Sequence, residues 1–320
     1  MHHNCDLGLD KTGAGSFNGP MSTAQLIDGR AIATAIHAET AARVGVLKEK
    51  HGVTPAITFV RVGDDPASQA YVRMKGAKAN ELGLKSDTIV LAETTPQTEL
   101  LALLDKLNRD PLVHGILVQA PLPKQIREDE VFSAIDPRKD VDGFHPLNVG
   151  KLLLHQHPLF RPCTPAGVHE LLIRSGVPLS GAEVVILGRG NIVGKPMAAI
   201  LMQKDRSADA TVTLLHSRSR HVDEHCRRAD IIIAAMGQAH FVRGNMVKPG
   251  AVVVDVGVNR VEDAAAKNGY RLVGDVDFAE VSQVAGKITP NPGGVGPMTI
   301  AMLLSNTARA AEMASGMLPP

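Results

Sequence analysis

The chain has no tryptophan, only two tyrosines (Tyr71 and Tyr270) and 3% aromatic residues over 320 positions. That scarcity argues against an aromatic platform on which single-stranded bases would stack. Cysteine is equally sparse: Cys5, Cys163 and Cys226 are odd in number, far apart and never in a Cys-x-x-Cys pair. Neither a disulfide framework nor a zinc site is expected, and a reducing cytosol fits. An excess of one charge is missing too, since 34 basic and 33 acidic residues leave a formal net charge of +1. No general attraction to nucleic acid or to an anionic membrane follows from that balance. No stretch of 18 apolar residues occurs, so no transmembrane helix is expected. Met1–Pro20 lacks an apolar core of seven or more residues and carries Gly8, Gly13, Gly15 and Gly19. It reads as a flexible leader over 1–20, neither a signal peptide nor an Arg-rich transit sequence.

What is present is ordinary for a soluble enzyme of one large or two medium domains, with 44% hydrophobic and 21% charged residues. Helical patterns over Arg30–Lys50, from Pro66 to near Gly83, Thr98–Asn108, Thr164–Ser175, Val193–Gln203 and Thr299–Ala314 alternate with apolar strand-like runs. The runs are Ala56–Val62, Thr88–Leu91, Val113–Gln119, Ala182–Leu187, Thr211–Leu215, Ile231–Ala235 and Ala251–Val256. That alternation predicts an α/β fold with parallel sheets and right-handed crossovers. Five prolines between Pro137 and Pro165 mark a hinge.

Three places carry candidate chemistry. Asp65-Pro66 is an N-cap followed by a first-turn proline, and Ser68, Tyr71 and Lys75 then share one helical stripe. An aromatic ring one turn from an amine suits a flat heteroaromatic substrate that needs proton transfer; a solvated amphipathic face is the alternative. Gln119 ends a buried strand just before Ala120-Pro121, at the edge where open α/β sheets place ligands. Finally, Gly188-Arg189-Gly190-Asn191-Ile192-Val193-Gly194 follows a strand and opens a helix, a turn suited to a dinucleotide pyrophosphate. The next strand ends in His216-Ser217-Arg218-Ser219-Arg220 with no carboxylate. NADP is thereby favoured over NAD, with Arg189, Ser217 and Arg218 near the 2′-phosphate; a solvated basic loop is the other possibility.

Taken together, these segments strongly resemble the bifunctional methylenetetrahydrofolate dehydrogenase/cyclohydrolase family. The resemblance rests on Val62–Ser68 with Tyr71, Val72 and Lys75, then Gly115–Pro123, Lys139–Pro146, Pro162–Gly167, the glycine turn and Pro292–Thr299. It covers about Leu26 to Ala310, in the family's order. It implies two α/β domains flanking a cleft, the second a Rossmann-like dinucleotide-binding domain. The expected boundaries are 21–145 for the folate-binding catalytic domain, joined by a C-terminal helix over 298–320, and 146–297 for the NADP-binding domain. The implied chemistry is oxidation of methylene-tetrahydrofolate with NADP, followed by hydration of the methenyl product to 10-formyl-tetrahydrofolate.

By the same resemblance Tyr71 stacks on the folate, Lys75 is the acid/base, Gln119 tunes Lys75 and Asp142 binds the pterin. Gly293, Gly294 and Pro297 line the substrate, while Gly188, Arg189, Gly190, Ile192, Gly194, Ser217 and Arg218 hold NADP. A homodimer with small-molecule folate substrates is implied, without nucleic acid or membrane partners. Three positions depart from the usual pattern: Gly190 where serine is frequent, Asn291 where valine is usual and Ala120 where leucine is usual.

Overall fold

The computed structural model describes residues 24–263 and 269–319; the leader expected over 1–20 lies outside them. The first half runs β1 (Gln25–Leu26), α1 (Gly29–His51), β2 (Ala56–Val62), α2 (Pro66–Glu81), β3 (Lys85–Leu91), α3 (Gln97–Arg109), β4 (Gly115–Val118) and α4 (Glu128–Ala134). α5 (Pro146–Leu153) and α6 (Cys163–Arg174) lead to β5 (Glu183–Leu187), α7 (Gly194–Leu201), β6 (Thr211–Leu215), α8 (Val222–Arg228), β7 (Ile231–Ala234) and β8 (Val252–Asp255). β9 (Asn259–Glu262), β10 (Tyr270–Val273), α9 (Phe278–Val281), β11 (Lys287–Ile288) and α10 (Val295–Ala314) complete the order.

Two parallel sheets organise these elements. β3-β2-β4 form the first, in register Val60↔Ile89 and Val60↔Val118. All seven β2 residues are buried, as a central strand covered on both faces requires. The second sheet has the order β1-β11-β8-β7-β5-β6. From β5 the chain moves outward to β6 and then returns to the other side as β7, so the strand order reverses at the carboxyl end of β5. Such a switch point is where doubly wound sheets bind ligands. The small β9–β10 pair is antiparallel.

Several elements differ from the sequence expectation. β1 lies within the segment 21–145 expected for the first domain, yet it pairs with β11 at the edge of the second sheet. Two-residue strands carry no periodicity that could reveal this. The proline-rich hinge contains α5, whose Pro146 sits in the first turn, where a missing N–H costs nothing. The last helix begins at Val295 rather than Thr299, because Gly296 and Pro297 fall in its first turn, where proline is tolerated.

α1 and α10 join the halves. Ala33 and Ile36 of α1 and Met298 and Ala301 of α10 enter the core beneath the second sheet. Val44 of α1 and Leu303, Leu304 and Ala308 of α10 enter the core beneath the first. The closest α6–α10 approach is at Gly167, where an added Cβ would stand 2.9 Å from Met298 Cβ.

Gly167→Leu should therefore push α10 away from α6 and cost about 1–3 kcal/mol or more, as overpacking of a close contact does. Urea unfolding is the check: a midpoint unchanged from wild type would show that the contact yields without penalty.

Candidate active site

The Asp65 carboxylate accepts from the Ser68 N–H at 2.7 Å, and Pro66 occupies the first turn, so α2 starts three residues after β2 ends. This sets the helix stripe against the sheet's carboxyl edge. Lys75 is buried, 9% exposed, whereas Tyr71 keeps 41% of its surface open. Gln119 N–H donates to Val60 O at 2.8 Å, extending the β2–β4 ladder one residue past Val118. Held there, its Oε1 accepts from Lys75 Nζ at 3.1 Å, while its Nε2 donates to Ala120 O at 2.6 Å. The Ala120–Pro121 bond that follows is cis.

The third component arrives on the turn after α4. Asp140 bridges Ile116 in parallel fashion and is 2% exposed. Its carboxylate accepts from Phe144 N (3.1 Å), His145 N (2.8 Å) and Asn148 Nδ2 (2.9 Å), and so holds the turn closed. Burial nevertheless pushes Asp140 up to about 7. Asp142, two residues on, is also raised by burial, against the opposing influence of the Lys75 charge and of the nearby Cys163 thiol, which itself donates to Val141 O at 3.2 Å. The Cys163 thiol is in turn driven far above its usual range by burial and then by Asp142. It stays protonated and can donate. Cys163 N–H also donates to Asp142 O at 3.2 Å, pinning the start of α6 to the Asp142 turn. Lys75, Gln119, Asp142 and Cys163 thus meet from four different segments.

The second half contributes the glycine turn after β5. Gly188 has φ +110°, and a Cβ there would lie 2.1 Å from Ala235 O; one on Gly194 would lie 1.9 Å from Gly188 O. Both positions demand glycine. At Gly190 an added Cβ meets nothing within 4 Å, so a serine would fit and the backbone does not require glycine. Arg189, Ile192, Ser217 and Arg218 are exposed. Neither guanidinium has an acidic partner among the described residues. A cradle without side chains, the N-terminus of α7 and two unpaired cations together fit a phosphate-bearing dinucleotide.

A third wall is the loop before α10. Gly293 has φ +116°, and a Cβ on Gly29 would stand 1.9 Å from Gly294 O, so α1 begins against this loop. Pro297 lies partly exposed in the first turn of α10. Asn291, unexplained by sequence, donates from Nδ2 to Gly257 O at 2.6 Å and ties the loop to the segment leaving β8.

Sequence reasoning also passed over Arg30, whose Nε would lie 3.3 Å from a Cβ on Gly293. It gave no role to Cys163, although the motif containing it was noted. A cavity of about 710 Å³ lies elsewhere, lined by residues such as Phe160, Arg161, His169, Asp205 and Arg309, and includes none of the candidate site residues.

Comparison with known proteins places the chain among close relatives. The catalytic domain of tetrahydrofolate dehydrogenase/cyclohydrolase matches residues 27–142, and the NAD(P)-binding domain of the same family matches 162–315. A bifunctional FolD protein of Syntrophobacter fumaroxidans is 54% identical over 91% of this chain and 98% of its own length. Bifunctional FolD 2 of Arabidopsis thaliana is 53% identical over 92% and 97%. Among solved structures, the Campylobacter jejuni bifunctional FolD superposes with a TM-score of 0.85 at 47% identity, covering 90% of this chain and 99% of that one. The Trypanosoma brucei FolD, solved with NADP and an inhibitor, gives 0.86 at 41%, covering 91% and 98%.

The Asp140 environment generates a pH prediction. A folded-state value near 7, above the unfolded carboxylate value near 4, means the native protein holds the extra proton between the two. Stability from this group is full below about pH 4, falls as pH rises and is gone above about 7. The unfolding free energy of wild type minus that of Asp140→Asn should therefore decline by on the order of a few kcal/mol from pH 4 to 7. A flat difference across that window would mean that Asp140 ionises like an exposed carboxylate.

Proposed function

The chain belongs to the tetrahydrofolate dehydrogenase/cyclohydrolase family, and from that premise we propose which residues carry each of its two reactions. It is an NADP-dependent enzyme of one-carbon metabolism. It oxidises 5,10-methylenetetrahydrofolate to the 5,10-methenyl compound and hydrolyses that to 10-formyltetrahydrofolate. What supports the residue assignment most is the Lys75 Nζ–Gln119 Oε1 contact of 3.1 Å, in a buried corner where Asp142 feels the same ammonium.

In this proposal the pterin enters with its aminopyrimidinone N–H groups toward the Asp142 carboxylate, a charge-assisted pair. The exposed Tyr71 ring covers its flat face, and Gly293, Gly294 and Pro297 border the remainder. Arg30, beside Gly293, offers a cation to the substrate's carboxylate end. Bound at the glycine turn, NADP would supply the acceptor for the hydride of the methylene carbon. Gly188, Gly190, Gly194 and Ile192 admit its pyrophosphate to the N-terminus of α7, and Arg189, Ser217 and Arg218 receive the 2′-phosphate.

Hydride transfer asks of the protein mainly alignment. Hydration asks for proton traffic. Water adds to the methenyl carbon and loses a proton to Lys75, which takes part in this step as the neutral amine. The bond from that carbon to N5 then breaks as Lys75 returns a proton to N5, and the second water proton leaves to solvent. Gln119 holds the amine at the reacting carbon through its Oε1. Action in the cytoplasm as a homodimer completes the proposal, and sedimentation at micromolar concentration tests the dimer.

Two variants test the assignments. Lys75→Met should lower hydration of supplied methenyl-tetrahydrofolate by about 10²–10⁴-fold, the usual contribution of general acid–base catalysis. NADP-dependent oxidation should fall far less, because no proton passes through Lys75 in that step. Hydration at near wild-type rate would remove Lys75 from the role. Arg189→Ala should raise the NADP KM by roughly ten- to a hundredfold and the NAD KM much less, as expected for one lost charge-assisted phosphate contact. Equal losses for both cofactors would contradict the 2′-phosphate assignment.

A further inference from the structure

Asp275 is fully buried, at 0% exposure, and neither reaction as described uses it. Its Oδ2 accepts from Met236 N at 2.6 Å and Gly237 N at 3.0 Å. Its Oδ1 accepts from Gln238 N at 2.9 Å and Asn259 Nδ2 at 2.8 Å. Four donors around one enclosed carboxylate are what a buried charge needs. Three of them are consecutive backbone groups of the loop that leaves β7. The packing leaves no room for a side chain at Gly257, where a Cβ would fall 2.2 Å from Asp275 Oδ1.

The same loop borders the candidate cofactor turn, since Ala235 O is the atom that a Cβ on Gly188 would strike at 2.1 Å. Asp275 is also held in place from behind, because its own N–H donates to the buried Asp255 carboxylate at 2.9 Å. Successive backbone N–H groups ordinarily form a nest for an external anion. Here the nest is already filled by a side chain of the protein. With those donors satisfied internally, Met236–Gln238 has no free N–H to hold an anion, which leaves phosphate to the Gly188–Gly194 turn and an uncharged part of the dinucleotide to this loop.

We propose that Asp275 is a positioning residue for hydride transfer. By filling the backbone nest at Met236–Gln238 it fixes the β7-exit loop as the wall on which the nicotinamide–ribose half of the dinucleotide rests. The proposal depends on the second sheet being the cofactor side, as argued under the function above.

The test compares wild type, Asp275→Asn and Asn259→Ala in two assays of the same protein: NADP-dependent oxidation, and hydration of supplied methenyl-tetrahydrofolate without NADP. Asp275→Asn turns an amide toward N–H donors and should raise the NADP KM by about ten- to a hundredfold, the scale of a misplaced reactant. Hydration should stay within about twofold, and the rise in melting temperature on adding NADP should shrink. Asn259→Ala removes one donor only and should give a smaller loss of the same kind. A parallel loss of both activities in Asp275→Asn would overturn the proposal in favour of a purely structural role. If Asp275→Asn does not fold, an unchanged NADP KM and NADP-induced melting shift in Asn259→Ala would overturn it equally. Absence of both activities from wild type would instead refute the functional assignment itself.

Discussion

The arrangement depends on how closely α1 and α10 can lie side by side. At their starts, Gly29 meets the carbonyl of Gly294 at a distance that excludes any side chain. Near their ends, Arg43 grips Glu312 through two hydrogen bonds of 2.8 and 2.7 Å and also donates to Ser305. The two helices therefore run in the same direction, and each buries residues under both sheets. Because one pair of helices serves two cores, the sheets cannot shift relative to each other without opening apolar surface to water. The loop from Asn291 to Gly294 is thereby fixed at the start of the shared spine, just past the end of β11.

Within that frame the candidate sites on the two sheets differ in chemistry. On the first-sheet side, ionisable groups are enclosed and act on one another: Lys75 donates to Gln119, and burial raises Asp142 and Cys163 while the Lys75 charge opposes it at both. A low-dielectric corner strengthens each of these contacts. On the second-sheet side, Arg189 and Arg218 are exposed and free of acidic partners among the described residues, and the backbone is stripped of side chains at Gly188 and Gly194. One side suits controlled proton movement beside a pterin, the other electrostatic capture of a multiply charged cofactor. In the proposed assignment that contrast divides the labour, hydration falling to the first-sheet corner and cofactor capture to the second-sheet turn.

Much of this was legible in the residues. Asp65-Pro66 announced the start of α2, since a capping carboxylate and a first-turn proline act locally. Buried strands such as β2 and β7 were legible as short apolar runs. The position of Gln119 followed from the prolines that stop β4. Gly190 stood out in sequence because serine is frequent there in the family, and the structure agrees that only Gly188 and Gly194 are sterically required. What escaped was set by distant partners. β1 and β11 are too short to show a pattern, and β9 reads as polar because only alternate residues are half-buried. No local signal reveals that Asp275 caps a loop nearly forty residues before it, or that the amide of Asn291 spans to Gly257.

The central claim is that both reactions use one folate site at Lys75, Gln119 and Asp142. A non-reactive tetrahydrofolate analogue measures this directly when titrated against NADP-dependent oxidation and against hydration of supplied methenyl-tetrahydrofolate. Competitive inhibition of both with the same inhibition constant is expected, and that constant should rise together for both reactions in Asp142→Asn. Inhibition of one reaction at concentrations that leave the other untouched would place the two chemistries at separate sites and contradict the claim.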